Sequence, residues 1–293
     1  MAIGNTVVWN KHDYVMSMRR RIDSPQTWKD VMNVKYTNNR TFVNGAMTTE
    51  PPVVGGTRGT AYAYETFTLQ ADTGTISNYY NIPMFIDEAD RYQQSYVDQM
   101  KIAEFQGKKI NEKLESLVLA QHTNWTDFGV GDLANTSTDD TAQITVSATN
   151  IDDIIRAVKR KIYANNGVDL AVENGIFIVW RATDFELLEG FAQANGYTEA
   201  DMALKNGIPV QKGFYYSGVT HYLSNSHTAN HVFAGIKGMG AIGILSGTYG
   251  KAKFIEDPGL TSGLGIVSRV DYGFDWCATS LYYKEFFIDL NVA

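Results

Sequence analysis

The chain has 293 residues, of which 44% are hydrophobic and 19% charged, and a net charge of −7. That length can bury a substantial core in one or two domains, and the negative charge argues against a dedicated nucleic-acid binder, whose phosphate contacts need Lys and Arg. A single cysteine, Cys277, excludes an intrachain disulfide and any Cys-based metal site.

The charge is uneven. Residues 1–40 carry seven basic residues against three acids, so the first forty residues hold +4 and the remainder −11. The N-terminus, MAIGNTVVWNKHD, has no basic stretch followed by an apolar core. No apolar run approaches the length of a membrane span. The expectation is a soluble protein made in the cytoplasm.

In chain order, residues 9–32 hold helix-compatible runs broken by Ser24-Pro25. From Thr37 to Gly59 the chain is rich in Thr, Asn, Gly and Pro, with Pro51-Pro52 and Gly55-Gly56 as breakers, which predicts an extended segment. AYAYETFTLQ (61–70) alternates. Asp72-Thr73-Gly74 reads as a turn, and TISNYYNIPMF (75–85) as the return strand of a two-stranded ribbon. Such a ribbon is rarely stable alone, so it packs on its own protein or on a neighbour.

The strongest helical pattern runs from Asp87 to Gln121. Tyr92, Tyr96, Met100, Ala103, Ile110, Leu114, Leu117 and Gln121 recur at helical steps, and Asp87, Glu88 and Asp90 crowd the start, where the macrodipole favours acids. About 35 residues at 1.5 Å each predict a helix roughly 50 Å long, with Gly107 as a candidate bend. A polar loop (122–140), a strand (142–148), a helix from Asn150 to about Asn165 and an apolar strand (176–182) follow. Thr183-Asp184-Phe185-Glu186 reads as a capping box, and Thr198 as the cap of a short helix. Short strands are predicted at 208–212, 219–223, 231–236, 251–256, 264–274 and 279–290. The order predicts an α+β fold.

Candidate sites are few. IKGMGAIGIL (236–245) contains G-x-G-x-x-G at Gly238, Gly240 and Gly243, with Glu256 and Asp257 at near-fingerprint spacing. A dinucleotide site needs a helix after the glycines, but Gly247 and Gly250 interrupt that stretch. The glycines are expected to form a tight, close-packed turn instead. His221, His227 and His231 lie near one another, and zinc-like spacing relates the last two. Ser226, Thr228 and Asn230 favour instead surface residues of a strand–turn–strand. Of the carboxylate pairs, Asp152-Asp153 fits a helix start and Glu256-Asp257 a turn, while Asp139-Asp140 has no evident local role. Cys277 reads as a small buried hydrophobe. No reaction assembles from these residues, so no enzyme activity and no cofactor or metal is expected. Tyrosines in extended segments, by contrast, suit interfaces.

The order of elements carries a resemblance. A basic N-terminal segment leads to a long β ribbon, then through Pro83 into a long helix with an acidic start (Asp87-Glu88-Ala89-Asp90). A mixed block follows, with Asn150-Ile151-Asp152-Asp153 and Ile176-Phe177-Ile178-Val179, and the chain closes on GLGIVSRVDYGFDW and YYKEFFIDL. Over essentially its whole length this resembles the major capsid protein of tailed bacteriophages, the Hong-Kong-97-like fold.

The resemblance implies an N-terminal arm at 1–44, an extended loop at 45–86 that reaches over a neighbour, and a peripheral domain at 87–148 with the spine helix. It implies an axial domain at 149–262 and the rest of the peripheral domain at 263–293. It also implies self-assembly through hexamers and pentamers into an icosahedral head enclosing double-stranded DNA, built in the host cytoplasm and found in the virion. Partners would be a portal and, in some relatives, a decoration protein; no membrane is involved. Tyr62, Tyr64, Phe67, Tyr79 and Tyr80 would touch other subunits, and Arg19, Arg20 and Arg21 would lie weakly against packaged DNA. Some members cross-link through a loop lysine; no lysine occurs from Thr41 to Met100, so that chemistry is not expected. The early start of the arm implies a separate scaffolding protein or an already mature form. An encapsulin-like compartment shell shares the fold. A nucleotide-dependent enzyme built on Gly238, Gly240 and Gly243 is the reading from another class.

Overall fold

Asn10 opens the first helix, α1 (Lys11–Ile22), by accepting a hydrogen bond on its side chain from the backbone N–H of Asp13 at 3.3 Å. The computed structural model describes residues 10–45, 58, 71–88, 90, 96–165, 167–194, 214–256, 262–276 and 286–293. Tyr14, Met18 and Ile22, one turn apart, bury one face of α1, and Arg19, Arg20 and Arg21 fill its last turn, where cations complement the carbonyl end of the dipole. After Pro25, α2 (Thr27–Val31) puts Trp28 and Val31 into the core. Residues 11–22 of the expected arm are thus folded helix, because their apolar spacing gives them a face to bury.

That face meets the long helix, α3 (Tyr96–Leu119), whose 24 residues span about 36 Å. Its buried stripe runs through Gln99, Ala103, Gln106, Ile110, Leu114 and Val118. One polar member, Gln106, and the neighbouring Asn111 are bonded into the packing. Gln106 accepts from the Tyr14 hydroxyl (3.0 Å) and donates to the Ile82 carbonyl (3.0 Å), while Asn111, beside the stripe, donates to the carbonyls of Arg21 and Ile22. Gly107 is a contact point with α1 rather than a bend. A Cβ there would stand 2.6 Å from the Met18 carbonyl oxygen. The helix does not begin at Asp87, which closes a strand. Glu88 and Asp90 are helical, and residues 91–95 lie outside the described residues.

Two sheets receive the helices. In the first, β1 (Asn33–Thr37) lies parallel to β10 (Ala241–Leu245), which pairs antiparallel with β12 (Gly263–Asp275). β11 (Ala252–Glu256) and β4 (Asn78–Asp87) flank β12, the latter in register from Asp87 opposite Gly263 to Asn78 opposite Tyr272. The second sheet runs β5 (Thr126–Phe128), β13 (Phe287–Asn291), β9 (His231–Ile236), β6 (Ile176–Trp180), β8 (Val219–Leu223) and β7 (Phe214–Tyr216). A small pair, β2 (Thr41–Gly45) with β3 (Ala71–Thr75), completes the strands among the described residues.

Alternation on the second sheet separates two cores. Phe177, Val179, Phe233 and Phe287 face one way, joining Trp125, Trp276 and the α1–α3 packing. Ile178, Trp180, Val232, Ile288 and Leu290 face the other, against α5 (Ile151–Ala164) and α7 (Ala182–Ala194). This explains why IFIVW and FIDL are continuously buried: both faces are covered.

Several expectations change. Asp72-Thr73-Gly74 is strand, not turn, because β3 pairs with β2. The 75–85 segment reaches into β4 and pairs with the sequence-distant β12; its expected partner, 61–70, lies outside the described residues, as do Thr198 and 208–212. The loop at 122–140 contains a 3-10 turn (His122–Asn124), β5 and a short helix, α4 (Val130–Ala134). The 142–148 strand reduces to one bridge, Ile144 to Val292. Thr183 lies inside α7, which starts at Ala182, so it is no cap; Arg181 instead pairs with Asp184 at 2.6 Å. After Gly167, α6 (Val168–Asn174) links α5 to β6. The sheets also cut across the expected blocks. β10 and β11, from 149–262, join the sheet of β12, whereas β13, from 263–293, joins the second sheet.

Candidate functional site

The glycine motif is the crossing point between the two sheets. β9 belongs to the second sheet and β10 to the first, and Lys237–Gly240 is the turn between them. Gly238, at φ +73°, takes the left-handed conformation the turn requires. Its N–H donates to Val31 and that of Lys237 to Gly175. Beyond the turn there is strand, not helix, so among the described residues no helix N-terminus follows the glycines. Gly243 lies within β10, where a Cβ would fall 2.2 Å from the Phe42 ring, and a Cβ on Gly74 would meet the same ring from β3. Gly240 makes room for Trp276. The expected turn is therefore found at Gly238 and Gly240 and is close-packed at Gly240, whereas Gly243 lies in strand β10 rather than in the turn.

The three sequence-local histidines do not converge. His221 is fully buried on β8; its Nδ1 accepts from Trp180 Nε1 at 2.9 Å and its Nε2 lies 3.3 Å from the Tyr216 carbonyl. Burial drives its pKa down to about 3, partly opposed by the Tyr216 carbonyl. His227 is likewise held neutral, near 4, mainly by burial. His221 is thus a core group and His227 a half-buried one, rather than the surface residues expected.

His231, at the start of β9, does join a polar cluster, with partners that the sequence did not single out. Its Nδ1 lies 2.8 Å from Asp289 Oδ2 on β13, and its ring stacks on His122 with centroids 3.8 Å apart. His122 Nδ1 is 3.7 Å from the same Asp289 oxygen. Three residues on from His122 and two on from His231, Trp125 and Phe233 stack in the same manner, with centroids 3.9 Å apart. Asp289 is 2% exposed, and burial lifts its carboxyl to about 7, with His122 opposing and Asp127 reinforcing the rise. The only local hint was an acid inside the apolar run FFIDL; nothing in the sequence tied it to His122.

The carboxylate pairs Asp139-Asp140 and Asp152-Asp153 have structural partners. Asp132 accepts from the N–H groups of Gly129 and Asp140, and Lys161 bridges Asp132 and Asp139 at 2.9 Å each. Asp140 accepts from Gly131 and Ala142, bonds that hold its carboxyl below the usual range. Arg156 pairs with both Asp152 and Asp153. Cys277 and Asp257 lie outside the described residues.

Of the expected contact residues, Tyr79 and Tyr80 are exposed on β4, at 57% and 40%, while Tyr62, Tyr64 and Phe67 lie outside the described residues. Tyr80 lies under Lys113 of α3 and Tyr79 under Arg269 of β12, each cation 4.3 Å from its ring. Ile82, Met84 and Ile86 turn inward to the core, so the opposite side of β4 leaves Tyr79 and Phe85 (49% exposed) as an open aromatic face. Arg19, Arg20 and Arg21 are exposed, with Arg19 donating to the Gly250 carbonyl at 2.9 Å.

No protein-family model matches the sequence, and no curated protein matches it either. Solved structures do match. The capsid of Ralstonia phage GP4 is 9% identical, with a TM-score of 0.57 over 89% of this chain and 86% of that one. The capsid of an empty GTA particle is 11% identical, with a TM-score of 0.59 over 91% and 89%. A virus-like particle from Pyrococcus furiosus is 8% identical, with a TM-score of 0.58 over 97% and 100%. The chain therefore has the fold of shell-building proteins. That fold is the Hong-Kong-97-like capsid fold, in its α+β form with a long helix beside a long-stranded sheet.

Proposed function

We propose that this chain is a major capsid protein: a non-enzymatic subunit that assembles with itself into an icosahedral head around the double-stranded DNA of a tailed phage. The observation that carries the reading is the match of fold, over 89% and 91% of the chain, to the phage GP4 and GTA capsids, with α3 sharing a core with the sheet built on β12. In this reading α3 and the sheet of β12 form the peripheral domain, and the second sheet with α5 and α7 forms the axial domain. Hexamers and pentamers are the units of the shell, and a portal, a scaffolding protein and a decoration protein are its proposed partners. Arg19, Arg20 and Arg21 would face packaged DNA, contributing weak, salt-sensitive attraction. The aromatic face of β4 would meet a neighbouring subunit.

The test is to express the chain alone and with a candidate scaffolding protein, then size the product by electron microscopy. Closed shells of uniform diameter are expected. A product that stays a small oligomer under both conditions overturns the reading. Shells that package a host enzyme rather than nucleic acid would assign the chain to the encapsulin-like alternative.

A further inference from the structure

We propose that His122, His231 and Asp289 form a binding site for one divalent transition-metal ion. Their donor atoms lie within 4.8 Å of one another. They come from three separate pieces of chain: the 3-10 turn after α3, the first residue of β9, and the middle of β13. Strand pairing fixes two of them, since β9 and β13 are adjacent and Asn291 sits opposite His231. Two imidazoles and one carboxylate suit zinc, cobalt, nickel or copper, and do not suit calcium or magnesium, which take oxygen ligands.

A second observation points to a missing cation. Asp289 is buried, and its Oδ1 has no hydrogen-bond partner. A buried carboxylate oxygen left bare costs free energy that an ion in the cluster would recover. Oδ2 is shared by both histidines, at 2.8 and 3.7 Å. These spacings bracket the roughly 3.3 Å that separates ligand atoms bound tetrahedrally at about 2.0–2.1 Å. The two rings now lie nearly parallel, so one must turn before both nitrogens point at a common ion. His122 is the one free to turn: its contact with Asp289 is long, and it sits on a short turn rather than a strand. The ion would take the place of the proton between His231 Nδ1 and Asp289. Both histidines are about a quarter exposed, which leaves the fourth position to water. Bound there, the ion would tie the end of α3 to the second sheet.

The experiment uses the purified full chain, stripped with chelator and titrated with zinc chloride. Calorimetry is expected to give about one ion per chain, with a rise in Tm that chelator reverses. Cobalt in place of zinc is expected to give the visible absorption of a tetrahedral site. His122→Ala and His231→Gln should each weaken zinc binding at least about tenfold and abolish the cobalt band. His12→Gln, on the exposed side of α1, should leave both unchanged. Absence of zinc binding by the wild-type chain at about 100 μM, or binding that survives in both cluster variants, overturns the proposal.

Discussion

At the scale of single residues, the most consequential environment is that of His221. Its Nδ1 accepts from Trp180, so the ring must be neutral with its proton on Nε2, directed at the Tyr216 carbonyl. In the unfolded chain its pKa returns to about 6.5. The folded value is lower, at about 3, so its stabilising contribution is complete above about pH 6.5 and is lost as pH falls toward 3. Asp289 works in the opposite direction. Its folded carboxyl is raised to about 7, so it favours the folded state increasingly as pH falls below 7. A comparison of wild type with His221→Gln cancels that shared term. At about pH 7.5 the variant should be less stable by about 1–3 kcal/mol, the cost of disturbing a buried hydrogen bond. The gap should narrow by up to about 1.4 kcal/mol per pH unit on acidification. Urea unfolding at several pH values measures it, and a gap that stays constant with pH would show that His221 is not the titrating group.

At the scale of elements, the contact of α1 with α3 sets two effects against each other. Gly107 lies inside a helix, where glycine costs about 1 kcal/mol relative to alanine. On propensity alone, Gly107→Ala should stabilise the protein. The added Cβ, however, would stand 2.6 Å from the backbone oxygen of Met18, and backbone cannot rotate away as a side-chain end can. Overpacking of that kind costs about 1–3 kcal/mol, so the net expectation is a lowered Tm. A raised Tm would mean that α1 is free to move. This is also where sequence reading reaches its limit. The apolar spacing of α3, the amphipathic α5 and the buried run IFIVW were legible because their signals are local. β10 was not, since Gly240 and Gly243 look like a turn until Trp276 and Phe42, distant in sequence, are seen to occupy the space that side chains would fill. β3 read as a turn because its strand character comes from pairing with β2. The same non-locality hid His122 and Asp289, which no spacing rule joins to His231.

At the scale of the whole molecule, one face of β4 is out of keeping with a chain that stands alone. Strand β4 pairs with β12 and buries Ile82, Met84 and Ile86, yet its other side holds Tyr79 and Phe85 about half exposed. Fully burying an aromatic ring is worth about 1.5–3 kcal/mol, so completing the burial of these two contributes only a few kcal/mol per contact. In a closed assembly each subunit makes such a contact and receives one, and the small term is repeated around every symmetry axis. Charges placed on this face should therefore damage assembly far more than folding. In the double variant Tyr79→Asp/Phe85→Asp, the first aspartate faces Arg269 and both remain solvated, so the isolated chain should keep its circular dichroism spectrum and melt within a few degrees of wild type. The yield of closed particles should fall at least about tenfold, because a loss of even 1.4 kcal/mol at one contact is a factor of ten in its equilibrium constant. Substituting Tyr80, whose ring is held against Lys113 of α3 on the inner side, should have the reverse profile, with stability affected first. Particle counts by electron microscopy beside thermal melts separate the two outcomes. Normal shells from the double variant would remove β4 from the proposed interface while leaving the fold assignment untouched.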